Sequence, residues 1–337
     1  MKKQMIVGIV AVAVTVAVGL VIFQSTRQVA SPPQAHELQQ VSVRMKWFFT
    51  GTMTGWFSGK SEGIFEKHNI DLTITPGGPQ NSSLKLVAAG SDTFGVAGAD
   101  EVILARAKGV PVVALAVLFK ESPLCYISKQ ESGIKQPSDW KGKKIEVSYG
   151  ENAEYLFRAL LKKAGLTKTD YTETPYTFNV APFLEDKVDV SPAYAMDQAL
   201  LIEKQGVEIN KIFARDFGIN PYADVIIATE KTIQEKPKLV RAFVDAVVEA
   251  HEWAIGHPDE AVTHLVKSVP DLKEDDQKAV WGATIPYIIP DGDTGGLGQM
   301  TTERWIESQQ VLLDAGVLSE PIEMEKAYSR GFTTIIE

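Results

Sequence analysis

The sequence predicts an α/β fold of two doubly wound lobes joined by a two-strand hinge. Strand-like and helix-like segments alternate along the chain, which is typical of sheets that carry helices on both faces. Residues 111–119 (PVVALAVLF) are all apolar, as expected for a strand that is buried on both faces. The alternation breaks at residues 120–123 and again near Pro221. We therefore expect the chain to leave the first lobe and to return to it at these two points.

The composition narrows the possible functions. The chain has 337 residues and a formal net charge of −9. Such an acidic protein is a poor candidate for binding nucleic acid, because phosphate contacts need a basic surface. The only cysteine, Cys125, excludes an intrachain disulfide and argues against a cysteine-ligated zinc or iron–sulfur site. Its apolar neighbours predict an inert core thiol.

The N-terminal segment is predicted to direct export. Lys2 and Lys3 precede an uncharged apolar run at 5–23, which is longer than most signal-peptide cores and just long enough to span a bilayer. The lysines should keep the N-terminus in the cytoplasm, so the rest of the chain is expected outside it. We predict a signal peptide or an uncleaved membrane anchor at 1–24 and a linker at 25–40.

The first lobe is predicted at residues 41–121 together with 223–337. Apolar and polar residues alternate over 41–46, which indicates the first strand. From residue 237 onward, apolar residues recur every three or four positions, which predicts helices that pack on this lobe. The other elements expected here are helices at 54–68, 82–89 and 99–108 and strands at 71–75, 93–97, 111–119 and 223–229.

The second lobe is predicted at residues 122–222. Its expected strands are 124–128, 145–149, 172–176 and 188–191, and its expected helices are 151–164, 180–184 and 196–204. In an open α/β sheet, ligands bind beyond the carboxyl ends of the strands. The strand ends of the two lobes should therefore face each other across a cleft.

Aromatic residues at these strand ends suggest what binds there. Trp47 and Phe49 follow the first strand, whereas Tyr149, Tyr194 and Tyr222 lie near strand ends or crossovers farther along. Aromatic rings on both sides of a cleft can sandwich a flat heterocycle. The alternative is that these side chains simply belong to the hydrophobic core.

Polar residues are expected to bind the edge of the same ligand. Gly150 opens a predicted helix, whose first backbone N–H groups can bind a carbonyl or an anionic group. We expect Trp47 and Tyr194 to stack on the ring. The full predicted site consists of Trp47, Phe49, Thr50, Thr52, Ala99, Asp100, Tyr149, Gly150, Glu151, Asn152, Asn179, Tyr194, Asp197 and Tyr222.

Catalytic and metal-binding motifs are incomplete. Residues 59–61 (GKS) lack the P-loop glycine at the required spacing. His251 and His257 are six residues apart, too far to share a metal across one helical turn, so we predict surface histidines. The loop that begins at Asp291 lacks the later ligands of a calcium loop. We therefore predict no catalytic residue and no metal.

Several short motifs resemble one protein family. In chain order they are Lys46-Trp47, Glu62-Gly63-Ile64-Phe65, Asp71-Leu72, Pro76-Gly77-Gly78, Phe94-Gly95-Val96, residues 105–113, residues 140–145, Asn179-Val180-Ala181 and Lys187-Val188-Asp189. Over about residues 41–267 the chain resembles the solute-binding proteins of ABC importers for thiamine pyrimidine precursors, riboflavin, sulfonates and nitrate. This family includes the thiamine-pyrimidine synthases of fungi. The resemblance implies the fold of a type II periplasmic binding protein.

The resemblance implies an extracytoplasmic protein without a cofactor, working as a monomer. It would deliver a small molecule to an ABC permease and its ATPase after hinge closure around the ligand. The Gly55-Trp56-Phe57 pattern is closer to the riboflavin branch, while Lys46 and Ala195 depart from the pyrimidine binders. We expect a small aromatic heterocycle, either riboflavin-like or a thiamine pyrimidine precursor.

Three alternatives stay open. A sulfonate, taurine or nitrate binder would use cationic donors, and Lys46 favours it. A synthase-like enzyme is disfavoured because Ala97 and Glu101 stand where the synthases carry a cofactor-bearing lysine and a histidine. A membrane-tethered ligand sensor would have the same binding lobes without a permease.

Overall fold

A five-stranded mixed sheet forms the centre of the first lobe. The structure, a computed structural model, describes residues 37–333, so the predicted signal peptide or anchor at 1–24 and most of the predicted linker at 25–40 lie outside it. From Leu38 onward, the described residues belong to one compact unit.

Ten β-strands lie within residues 37–333, numbered here in chain order. They are β1 (Gln39–Arg44), β2 (Ile70–Thr75), β3 (Phe94–Ala97), β4 (Val112–Phe119), β5 (Leu124–Lys129), β6 (Lys144–Val147), β7 (Thr172–Pro175), β8 (Ser191–Tyr194), β9 (Ile209–Phe213) and β10 (Asp224–Thr229).

Helices fill the spaces between most strands and form the C-terminal region. They are α1 (Thr54–Ser61), α2 (Ile64–Lys67), α3 (Ser83–Ala88), α4 (Ala99–Ala107), α5 (Asn152–Lys163), α6 (Ala181–Leu184), α7 (Gln198–Lys204), α8 (Glu230–Glu235), α9 (Pro237–Gly256), α10 (Pro258–Ser268), α11 (Glu274–Ile288) and α12 (Thr302–Asp314).

The first lobe is a sheet of order β2-β1-β3-β10-β4 with helices packed on it. β1 pairs in parallel with β2 and β3, whereas β10 returns antiparallel between β3 and β4. Every residue of β4 is buried, as its continuous apolar run predicts. On one face, Phe243 of α9 stacks on Phe94 with ring centroids 3.8 Å apart.

The second lobe contains two smaller sheets, of order β8-β5-β9 and β6-β7. The pairs in the first of these sheets are antiparallel, and β9 lies in a segment where no strand was predicted. β8 also begins later than the predicted strand at 188–191. The reason is that Asp189 accepts a hydrogen bond from the Lys144 backbone N–H at 2.8 Å, and Val190 forms only a bridge to Ile145.

Two expectations for the first lobe need correction. The helix predicted at 54–68 is broken into α1 and α2, because Gly63 adopts the left-handed region with φ +67°. His251 is not a surface residue: it is 1% exposed and its ring packs edge-on against Trp56. Burial lowers the pKa of His251 to about 4, so this histidine is a neutral core residue at physiological pH.

Two adjacent crossovers link the sheets. The Ala223 backbone N–H donates to the Phe119 carbonyl at 3.1 Å, which holds the outgoing and the returning chain side by side. Arg304 of α12 donates to the carbonyls of Lys120 (2.6 Å) and Asn220 (2.9 Å), one on each crossover. The chain thus passes between the lobes twice, as predicted for a two-strand hinge.

Among the helices of residues 37–333, none has both the length and the apolar character needed to cross a membrane.

Candidate functional site

A cleft lies between the lobes at the ends of their strands. The space in it measures about 760 Å³, part of which is open to solvent. Its lining comprises Lys46, Trp47, Thr52, Met53, Phe119 and Asp224 from the first lobe, and Leu124, Ser148, Glu151, Asn152, Ala153, Tyr176, Pro192, Ala193, Tyr194, Asp197 and Gln198 from the second.

The structure brings many of the predicted site residues together. Those that line the cleft are Trp47, Thr52, Glu151, Asn152, Tyr194 and Asp197. Asp100 lies directly behind this lining, where its carboxylate accepts a hydrogen bond of 2.5 Å from the Asn152 amide. Thr50 contacts the lining as well, because its hydroxyl lies 3.0 Å from that of Thr52.

Three predicted residues pack in the first lobe instead of lining the cleft. The Phe49 ring lies edge-on against Phe57, with centroids 5.0 Å apart. Ala99 is fully buried and Tyr222 is 3% exposed, both in the core beneath α4 and α12. The Tyr222 hydroxyl accepts a hydrogen bond from the Thr301 backbone N–H at 3.1 Å.

Three further predicted residues lie on the second lobe outside the lining. Tyr149 is 49% exposed and donates its hydroxyl hydrogen to Glu173 at 2.6 Å. Gly150 turns the chain with φ +78°, and its N–H donates to Glu154 at 2.8 Å. The exposed Asn179 accepts a hydrogen bond from the Ala181 backbone N–H at 2.8 Å.

Lys46 is the main cation of the cleft, and it was absent from the predicted site. Its Nζ donates to the Tyr194 hydroxyl (3.1 Å) and to the Ala223 carbonyl (2.9 Å). Asp224 is 3.4 Å from the same Nζ, and Glu101 is 3.9 Å from it. Burial lowers the pKa of Lys46, but the groups around it together raise that pKa well above its ordinary value. Lys46 is therefore charged, and its donors already point at protein acceptors of both lobes.

Carboxylates outnumber this lysine. Burial, and secondarily Glu101, raises the pKa of Glu151 and of Asp100 to about 7. Burial raises the pKa of Asp197 to about 6, and a hydrogen bond from Thr50 partly opposes this shift. The oxygens of these groups can accept hydrogen bonds from a ligand, and in their ionised form they repel an anion.

Aromatic rings form another part of the wall. Trp47, Tyr176 and Tyr194 line the cleft together with Phe119. Tyr176 is not among the predicted site residues, although it is the last residue of the predicted strand at 172–176, and the same strand-end rule that selected Trp47 applies to it. Lys46 could have been found on the same grounds, because it is the last residue before Trp47.

The amino-acid sequence matches a known protein family. Residues 51–261, well over half of the chain, match the model of the family described as NMT1/THI5 like. The chain belongs to this family.

Several proteins of similar sequence are named for what they bind or make. RibY, a riboflavin-binding protein of Chloroflexus aurantiacus, is 28% identical over 313 residues, which cover 90% of this chain and 88% of RibY. A formylaminopyrimidine-binding protein of Halalkalibacterium halodurans is 24% identical over 322 residues, 92% of this chain and 95% of the relative. A 4-amino-5-hydroxymethyl-2-methylpyrimidine phosphate synthase of Legionella pneumophila also matches, at 24% identity over 74% of this chain and 80% of the synthase.

A solved structure confirms the fold class. The periplasmic aliphatic sulphonate binding protein SsuA from Escherichia coli matches with a TM-score of 0.68 and 19% identity, covering 91% of this chain and 94% of SsuA. At this identity the likeness shows the fold alone. That fold is the periplasmic binding protein fold predicted from the sequence.

One group of potential metal ligands lies outside the cleft. Glu62, Glu260 and His264 place ligand atoms within 4.8 Å of one another. Within this group, the His264 ring already forms a 2.7 Å hydrogen bond with Glu62. None of the three lines the cleft, and the predicted absence of a metal stays a prediction.

Proposed function

We propose that this protein is the solute-binding component of an ABC importer. Its ligand would be a small, uncharged aromatic heterocycle with N–H groups on its edge, of the riboflavin or thiamine-pyrimidine type. The protein would work outside the cytoplasm, with residues 1–24 serving as a signal peptide or as a membrane anchor. The ligand would contact both lobes, so that binding stabilises the closed arrangement.

One observation carries this proposal: the cleft combines aromatic rings with an excess of hydrogen-bond acceptors. Trp47 from the first lobe and Tyr176 and Tyr194 from the second offer ring faces for a flat ligand. Glu151 and Asp197 offer carboxylate oxygens to its donor groups. The two binding-protein relatives named above are named for nitrogen heterocycles, which is consistent with this chemistry.

The charge of the cleft argues against the sulfonate and nitrate alternative. An oxyanion needs free donors, but the Nζ of Lys46 already donates to Tyr194 and Ala223 and lies 3.4 Å from Asp224. Binding an anion would require breaking these contacts beside several carboxylates.

The synthase alternative meets a different obstacle. Ala97 is a buried residue at the end of β3 and has no side-chain functional group. Glu101 accepts a hydrogen bond from the Gly98 backbone N–H at 2.7 Å and so closes the first turn of α4. Neither position can do the work of a cofactor-bearing lysine or of a histidine, so we propose a binding protein and not an enzyme.

The test is a thermal-shift and calorimetric screen of the purified chain with riboflavin, formylaminopyrimidine, thiamine, taurine, an alkanesulfonate and nitrate. A ligand that binds only the folded protein stabilises it by about 2.7 kcal/mol at a hundredfold excess over its Kd. We expect stabilisation by a flat heterocycle and none by the anions.

A matched pair of tryptophan variants localises the effect. Trp47→Ala should weaken heterocycle binding by about 1–3 kcal/mol, the usual contribution of a stacked ring. Trp253→Ala should leave binding unchanged, because Trp253 stacks on His257 away from the cleft. Stabilisation by sulfonate or nitrate alone would contradict the proposed function.

A further inference from the structure

Phe178 has a backbone conformation that is unusual for its residue type. Its φ is +59°, and the other non-glycine residues with positive φ in the described part of the chain are Asn69 and Asp186. Asn and Asp enter this region readily because their short polar side chains bond locally, whereas a bulky aromatic residue adopts it rarely and at a cost. Such strain persists only where surrounding contacts hold it, and it is frequent at ligand sites.

Neighbouring side chains hold this conformation in place. Asn179 accepts a hydrogen bond from the Ala181 N–H at 2.8 Å, and its amide donates to the Thr177 hydroxyl at 3.0 Å. These two bonds tie the segment together on either side of Phe178. Asn179 therefore positions this segment and does not contact the cleft.

The Phe178 ring spans the two lobes. Its centroid lies 5.5 Å from that of Trp47, which follows β1 of the first lobe. It also lies 5.2 Å from the ring of Tyr176, which follows β7 of the second lobe. Both of these partners line the cleft. The three rings thus form a continuous series of aromatic contacts from the first lobe to the second.

We propose that Phe178 is a ligand-retaining residue that joins the closed lobes beside the bound ring. The inference rests on the proposed function, because the ligand it retains is the flat heterocycle bound next to Trp47. Opening the cleft must separate Phe178 from Trp47, so this contact opposes release of the ligand. The strained backbone aims the ring across the cleft, where an ordinary extended residue would direct it elsewhere.

Phe48 provides a matched control. Its ring also lies edge-on against Trp47, with centroids 5.2 Å apart, but it is the next residue in the same lobe. Phe48 is 49% exposed and remains beside Trp47 when the lobes separate. Removing either ring deletes one aromatic contact of Trp47, and only the Phe178 contact crosses between lobes.

The first experiment measures riboflavin release from the full chain by stopped-flow fluorescence. Phe178→Ala and Phe178→Gly should raise the dissociation rate by about fivefold, the factor that corresponds to one aromatic pair. Phe48→Ala should change it by less than about twofold. Phe178→Gly also removes the strain at positive φ, so it should unfold at a higher temperature than Phe178→Ala and exclude misfolding as the cause. Unchanged release from both Phe178 variants, or equal acceleration by Phe48→Ala, would overturn the proposal.

The second experiment needs no ligand and separates this inference from the proposed function. Exposed Lys168 of the second lobe and Lys231 of the first are replaced by cysteine and spin-labelled. Cys125 should stay unlabelled, because it is fully buried and burial raises its thiol pKa to about 12. In the labelled protein, Phe178→Ala should move the interlobe distances toward longer values, and Phe48→Ala should not. If none of the heterocycles in the screen binds the parent protein, the proposed function loses its support, and the distance distribution alone then decides whether Phe178 joins the lobes. An unchanged distribution would refute that role.

Discussion

The two walls of the cleft are built in different ways. In the first lobe, Lys46 follows β1 and Asp224 begins β10, two strands of one sheet that are separated by β3, and Glu101 lies on α4. In the second lobe, the wall comes from short strands of two separate sheets, from the start of α5 and from the strained segment around Phe178. The first wall holds Lys46 in a charged network on one continuous sheet, whereas the second carries Tyr176, Tyr194, Glu151 and Asp197 on short, separate pieces. The cation of the cleft is therefore positioned by a single sheet, and the aromatic and acidic groups of the second wall are positioned by several smaller elements.

The largest effect should come from breaking the charged network. In Lys46→Met, Asp224 and Glu101 lose the cation between them, and a buried charge without its partner is strongly destabilising. We expect the free energy of unfolding to fall by about 3 kcal/mol at neutral pH, measured by urea denaturation. The loss should be smaller in acid, because burial raises the pKa of Asp224 and the unpaired carboxylate can then take up a proton.

Lys231→Met is the control for this variant. Lys231 is an exposed lysine of the first lobe, and surface substitutions of this kind usually change stability by less than about 0.5 kcal/mol. Equal losses in the two variants would show that the network around Lys46 contributes nothing specific.

The two lobes also differ in how well their strands could be predicted from the sequence. β1 and β4 could be predicted because one alternates with period two and the other is buried on both faces. β9 could not, because it is an edge strand whose residues are mostly half-exposed and show no clear alternation. Strong burial leaves a strong pattern in the sequence, and the first lobe has more of it.

The sequence predicted which residues lie near the cleft better than it predicted where their side chains point. The rule that ligands bind at strand ends selected Trp47 and Tyr194, which line the cleft. It also selected Tyr149 and Tyr222, which lie close to strand ends in the sequence but do not line the cleft. It could not tell that the Tyr222 side chain points into the core beside Trp305, 6.3 Å away, or that Tyr149 points to solvent. The direction of a side chain at a strand end depends on local turns, which the residue pattern does not encode.

A smaller effect is expected from the titration of Glu151 in the second wall. Burial, and then Glu101, raises the pKa of Glu151 to about 7, so the folded protein binds this proton more tightly than the unfolded chain does. Stability from this group therefore increases as the pH falls from about 7 toward the ordinary carboxyl value and is lost as the pH rises through 7. Glu151→Gln should flatten the dependence of unfolding free energy on pH in that range.

Glu131→Gln serves as the reference for this titration, since Glu131 is an exposed carboxylate of the same lobe. Its pH profile should coincide with that of the parent protein. A Glu151→Gln profile as steep as the parent profile would mean that the burial of Glu151 does not govern its proton binding.

The smallest effect separates two tyrosines that the sequence placed in the same site. Tyr194→Phe removes the hydroxyl that accepts a hydrogen bond from Lys46 across the cleft, so unfolding free energy should fall by about 1 kcal/mol. Tyr149→Phe removes a hydroxyl that donates to Glu173 on the exposed surface, so the loss should stay below about 0.5 kcal/mol. Urea denaturation of both variants without ligand measures the two values. If Tyr149→Phe lowered the unfolding free energy as much as Tyr194→Phe, the Tyr194 hydroxyl would contribute no more to stability than a surface hydroxyl. The charged network around Lys46 would then not extend to the second lobe.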